Sequence, residues 1–150
     1  MQPLIVENTI EINAPAAKVW DVLVNPVQTK KYMFGCETVS DWQPGSSLIW
    51  RMMHEGKEFI PVKGEVISIA PEKELVYSVI DPHNAAIPDL PENYLFVTYR
   101  LTEHNGATTL YVAQGDFSKV AAGQKRYEDT YNNGDGWNPI LVQIKAIAEE

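Results

Sequence analysis

From Leu4 to Ile12 the chain alternates, with Leu4, Val6, Asn8, Ile10 and Ile12 on one face and Glu7, Thr9 and Glu11 on the other. This is the period-two signature of a half-buried β-strand. The period then changes. Asn13-Ala14-Pro15 offers an N-cap and an early proline, and Val19, Trp20, Leu23 and Val24 recur at helical spacing until Asn25-Pro26 ends the helix. A second short helix is predicted through Met33. Asp41 to Ser46 is turn-forming, and beyond it Leu48, Trp50, Met52 and His54 alternate with Ile49, Arg51 and Met53, which predicts a strand with its even positions facing inward. Glu55-Gly56-Lys57 predicts a hairpin into a strand from Phe59 to Ile69, whose internal Gly64 implies a bend or bulge. Pro71 to Glu74 turns again into a strand from Leu75 to Ile80, with Leu75, Tyr77 and Val79 on one face.

The segment from Asp81 to Asn93 is rich in Pro, Asn and Asp and longer than most hairpin connections. It is expected to be a functional loop that gates a cavity mouth. Strands from Tyr94 to Leu101 and from Thr108 to Phe117 flank Asn105-Gly106, a strong hairpin signal, and should pair antiparallel. Helical character begins near Gln124, but Asn132-Asn133-Gly134-Asp135-Gly136 predicts a kink or a fresh start near Trp137. Trp137, Leu141, Ile144 and Ala148 then share one face, which must be buried. The pattern predicts an α+β domain: strand one, two short helices, about six further antiparallel strands, and a long C-terminal helix packed on the sheet.

A chain of 150 residues with 45% hydrophobic content fits a single domain spanning residues 1–150, large enough to close a core around a modest cavity. The net charge of −8, with no basic run longer than Lys30-Lys31, argues against nucleic acid as a partner. No apolar stretch approaches the roughly 20 residues of a membrane span, and Glu7 and Glu11 stand where a secretory leader would be basic and then apolar. The lone Cys36 and the absence of an Asn-x-Ser/Thr sequon agree with a cytoplasmic location.

The inward positions Trp50, Met52, His54, Tyr77, Val79, Val97, Tyr99, Leu110, Val112, Gln114 and Asp116 face Trp137, Leu141 and Ile144 of the final helix. Mostly apolar and aromatic with a few polar groups, they have the composition of a small-molecule pocket and equally that of a filled core. His54 offers either a general base and ligand anchor or an exposed rim residue; Gln114 and Asp116 offer orientation of a polar ligand group. His83 and His104 fall in loops. No nucleophile, Walker, dinucleotide or metal-binding motif occurs, so neither a catalytic residue, a metal nor a cofactor is expected. Asp129 to Ile140 resembles a calcium loop only superficially, because Tyr131 and Ile140 stand where carboxylates are needed.

Ile10-Glu11-Ile12-Asn13-Ala14-Pro15 with Val19-Trp20-Asp21-Val22-Leu23, then Trp42-Gln43-Pro44-Gly45, Gly64-Glu65-Val66, Thr98-Tyr99-Arg100-Leu101 and Gly136-Trp137-Asn138-Pro139-Ile140-Leu141, form a distinctive combination. On these motifs the chain resembles the helix-grip, Bet v 1-like superfamily, also called START-like or SRPBCC. Within it the chain is similar to the branch related to activators of the ninety-kilodalton heat-shock protein ATPase. It departs from the pattern at Ser46, where relatives often carry a second glycine, and in the loop from Pro82 to Pro91. The resemblance implies a curved antiparallel sheet of about six or seven strands gripping the C-terminal helix, with a cavity between them. It also implies ligands of the lipid, steroid or polyketide kind. The expected function is non-catalytic binding of a small hydrophobic molecule at Trp50, Met52, His54, Tyr77, Val79, Tyr99, Val112, Gln114, Asp116, Trp137 and Leu141. A cyclase or dehydratase on the same fold is one alternative. A stress-response module that meets a chaperone, or a second copy of the chain, is the other.

Overall fold

The computed structural model describes residues 2–150. In chain order the elements are β1 (Val6–Ile12), α1 (Ala16–Val24), α2 (Pro26–Tyr32), β2 (Glu37–Ser40), β3 (Ser47–His54), β4 (Lys57–Ala70), β5 (Glu74–Val79), β6 (Leu95–His104), β7 (Ala107–Gly115), α3 (Gly123–Tyr131) and α4 (Asn138–Ala148). The seven strands form one antiparallel sheet in the order β1-β7-β6-β5-β4-β3-β2. This is the α+β architecture expected from the sequence, with two short helices after the first strand. β2 has no counterpart in the sequence pattern, because four residues are too few to display a period.

Two-residue turns fix the register. His54 pairs with Lys57 and His104 with Ala107, and the turn residues Glu55, Gly56, Asn105 and Gly106 all have positive φ, the geometry that matches the twist of paired strands. The first helix is capped differently from expectation. Asn13 does not cap α1; Pro15 occupies that position without a side-chain bond, and the amide of Ala16 donates to Glu103 Oε1 of β6 at 2.6 Å. Asn25 ends α1 and also starts α2, its side chain accepting from Val27 N–H at 2.9 Å.

β4 does most of the bending. Between the Trp50↔Val62 and Met52↔Phe59 pairs, β4 carries the two residues Ile60 and Pro61 against the single Arg51 of β3, so a bulge sits at Pro61, which has no N–H for the ladder. A second irregularity falls between Val66 and Ser68. Gly64 lies between the two bulges rather than within one. A Cβ there would stand 1.7 Å from Ser78 O, so the strands approach at a distance that only glycine permits.

The C-terminal helical stretch is broken in two. Asn132 and Asn133 have left-handed backbone, Gly134 has φ +97° and Gly136 φ +51°. The break lets the chain lie flat on β1, where a Cβ on Gly136 would meet Asn8 Oδ1 at 2.5 Å. Asn8 Oδ1 in turn accepts from the Trp137 amide at 2.9 Å and fixes where α4 begins. α3 has no buried residue, whereas α4 buries Leu141, Ile144 and Ala148 against β1, α1 and α2.

Candidate functional site

Seven strands at about 4.8 Å spacing make a sheet roughly 29 Å wide, whereas the 11 residues of α4 form a rod only about 16 Å long. α4 therefore covers the β1 side and leaves the inner face of β3, β4 and β5 without a helix over it. There the structure holds a hollow of about 330 Å³ between the sheet and the start of α4. Its floor is Trp50 and Met52 of β3, Tyr77 and Val79 of β5, Val97 of β6 and Gln114 of β7. Trp137 and Ile140 form the wall on the helix side. Met33, Phe34, Cys36, Pro61 and Val62 complete the lining, and Phe34 is 80% exposed.

The binding residues expected from the sequence divide into three groups. Trp50, Met52, Tyr77, Val79, Gln114 and Trp137 border the hollow. Tyr99, Val112 and Leu141 are buried in the core beside it. His54 and Asp116 lie elsewhere. His54 is exposed at the tip of the β3–β4 hairpin, which runs past the bulge at Pro61 and beyond the core. Asp116 Oδ1 accepts from the amide of Leu4 at 2.9 Å and from the amide and hydroxyl of Ser118 at 2.9 and 2.7 Å, contacts that hold its carboxyl below the usual range and tie down the start of the chain. The bulge also explains why Pro61 and Val62, neighbours in sequence, both line the hollow against the simple alternation. Met33 and Phe34 sit in a connection with no period to read, although Phe34-Gly35, both with positive φ, is a sharp turn.

Aromatic rings run across the floor from sheet to helix. Trp50 and Tyr77 stand 6.0 Å apart between centroids, Tyr77 and Tyr99 6.1 Å, and Tyr99 meets Trp137 edge-on at 5.9 Å. The Trp137 indole N–H donates to Gln114 Oε1 at 3.1 Å. Among the described residues no carboxylate, imidazole, ammonium or guanidinium borders the hollow. Burial pushes the hydroxyls of Tyr77 and Tyr99 and the thiol of Cys36 upward, so all three stay protonated at neutral pH. Such a lining can bind and orient by hydrogen bonds. It offers no general base.

The loop from Asp81 to Asn93 does not border this hollow. Its Asp81, Asn84 and Ile87 line an adjoining, more polar one of about 260 Å³ with Phe117, Arg126 and Asp129. The two hollows share Val62, Val79 and Gln114. A further depression of about 390 Å³ lies on the outer face of the sheet by Ser78, Asp89, Tyr94 and Phe96. Two of its polar groups already pair, Asp89 with Lys63 at 2.5 Å and with the Tyr94 hydroxyl at 2.6 Å.

A family model described as Activator of Hsp90 ATPase homolog 1-like protein matches residues 13–149. No curated protein matches the sequence. Among solved structures, ChR145 from Cytophaga hutchinsonii is 37% identical with a TM-score of 0.75, the match covering 99% of this chain and 97% of that one. NE0264 from Nitrosomonas europaea is 19% identical with a TM-score of 0.70, covering 96% and 93%. DynU16, a protein in the dynemicin biosynthetic locus, is 18% identical with a TM-score of 0.68; the match covers 97% of this chain and 47% of DynU16.

Proposed function

Because the chain belongs to the Activator of Hsp90 ATPase homolog 1-like family, a family of the helix-grip fold, we propose that it binds a small hydrophobic molecule without transforming it. The binding place is the hollow between the sheet and α4. One observation carries this reading: a space of about 330 Å³ between the sheet and α4 is walled, among the described residues, by aromatic and aliphatic side chains and by no charged group. Trp50, Met52, Tyr77 and Val79 supply apolar contact, and Gln114 and Trp137 supply a fixed polar edge. Catalysis by proton transfer would call for a base near the ligand, and Tyr77, which lines the space, is held neutral by burial. The buried free thiol of Cys36 supports a reducing, cytoplasmic setting for a single working domain.

A thermal-shift screen with fatty acids, sterols, flavonoids and aromatic polyketides tests the reading. A matching ligand at a hundred times its Kd adds about 2.7 kcal/mol, which raises the Tm of a domain of this size by roughly 5–11 °C. At least one saturable hit is expected, weakened by Trp50→Ala. No hit across the panel removes the reading. The exposure of Phe34 at 80% and Met53 at 65%, together with the family's description, favours a second one, a surface that meets a chaperone. Pull-down of a purified Hsp90-type chaperone that is lost on Phe34→Ser would support it.

A further inference from the structure

Two polar side chains that line the hollow, Tyr77 and Gln114, have hydrogen-bonding capacity left over, and each can donate. The indole N–H of Trp137 can only donate, so it takes Gln114 Oε1 and leaves the amide Nε2 as a donor on a side chain that borders the hollow. Tyr77 lines the hollow, and its hydroxyl lies close enough to that of Tyr99 for each to alter the other's ionisation. Tyr99 Oη is buried out of reach of the hollow and faces no partner other than the Tyr77 hydroxyl. Tyr99 is wedged between Tyr77 and Trp137, at 6.1 and 5.9 Å between centroids, and both of those neighbours border the hollow. A buried hydroxyl with no partner is costly in an interior that otherwise satisfies its polar groups. Elsewhere in the same core the geometry is closed: Tyr32, also fully buried, donates to Val22 O at 2.9 Å.

We propose that the donors left open on this floor, the Tyr77 hydroxyl backed by that of Tyr99 and Gln114 Nε2, receive neutral carbonyl oxygen of the bound molecule, so that the ligand is an uncharged apolar ketone, lactone or quinone rather than an alkane or a carboxylate. The inference rests on the binding reading above. An oxygen with two lone pairs satisfies the donor surplus, which a hydrocarbon cannot do. A carboxylate would also accept, but it would enter a space with no cation in its lining, where an unpaired charge is strongly disfavoured. The wall between Trp50 and Ile140 takes the apolar body, and Phe34 stands where the body leaves the hollow.

Cyclododecanone, cyclododecane and laurate separate the possibilities, with Kd read from tryptophan fluorescence, since Trp50 and Trp137 both border the site. The ketone is expected to bind roughly three- to tenfold more tightly than the hydrocarbon of the same ring, the usual net effect of one neutral hydrogen bond, and more tightly than laurate. Tyr77→Phe should bring the ketone to within about twofold of the hydrocarbon and leave hydrocarbon binding in place; Tyr99→Phe, which reaches the ligand only through Tyr77, should narrow the preference less. Equal affinities in the natural protein, tighter laurate, or a ketone preference untouched by both variants would overturn the carbonyl site while leaving the binding reading intact. Failure of all three probes to bind would overturn both.

Discussion

Removing the Tyr99 hydroxyl should stabilise the empty protein. Its oxygen is buried with no hydrogen bond of good geometry, so Tyr99→Phe is expected to gain about 1 kcal/mol, a rise of roughly 2–4 °C in Tm. A fall in Tm would mean that the hydroxyl is bonded in solution. Trp137 is the opposite case, because it packs on Tyr99, donates to Gln114 and is tied through its amide to Asn8. Trp137→Ala should cost about 3–5 kcal/mol by denaturant unfolding, and a loss under about 1 kcal/mol would place the ring outside the core. Trp137, Trp50 and Tyr77 were legible in the sequence because large aromatics at inward positions of a clear period have few other places to go. His54 and Asp116 satisfied the same period yet sit at the hairpin tip and at the Leu4–Ser118 turn. Alternation fixes which side a residue takes, and says nothing of how far along the strand the core extends.

At the scale of elements, every strand but β2, both short helices and the two hairpins could be read from periodicity and turn residues. The features that shape the site could not. The bulge at Pro61 comes from a register mismatch between β3 and β4, and the mouth residues Met33 and Phe34 lie in an aperiodic connection. The Asp81–Asn93 loop, expected from its length to guard the mouth, borders the neighbouring hollow instead. Hydrogen exchange on saturation with cyclododecanone should therefore slow at residues 33–36 and stay unchanged at residues 81–93; slowing confined to the latter would move the mouth. The break before α4 was legible from Asn132 to Gly136, and its purpose became visible only from the contact with Asn8. Gly136→Ala forces a side chain at φ +51° into Asn8 Oδ1, so it should destabilise by more than about 1 kcal/mol. A neutral outcome would show that the segment can shift off β1.

Across the whole molecule, the buried tyrosines link stability to pH. Burial raises the pKa of Tyr32, Tyr77 and Tyr99 in the folded state, whereas an unfolded tyrosine titrates near pH 10. Above about pH 10 the unfolded chain releases protons that the folded one keeps, so stability is full below that pH and declines as pH rises through it. Tyrosinate absorbance from this group should appear together with loss of circular dichroism in an alkaline titration; ionisation complete while the fold persists would contradict their burial. The same hydroxyls matter because the sheet is wider than the helix it grips, and the uncovered part of its inner face is either space for a ligand or packed core. The thermal unfolding of Val79→Phe, with and without cyclododecanone, tests this most directly, since Val79 borders the hollow from the centre of the sheet. An open cavity accepts the larger ring: Tm without ligand stays within about 2 °C of the natural protein and the ligand-induced rise disappears. A loss of about 1–3 kcal/mol without ligand, the usual effect of overpacking a filled core, would contradict the cavity.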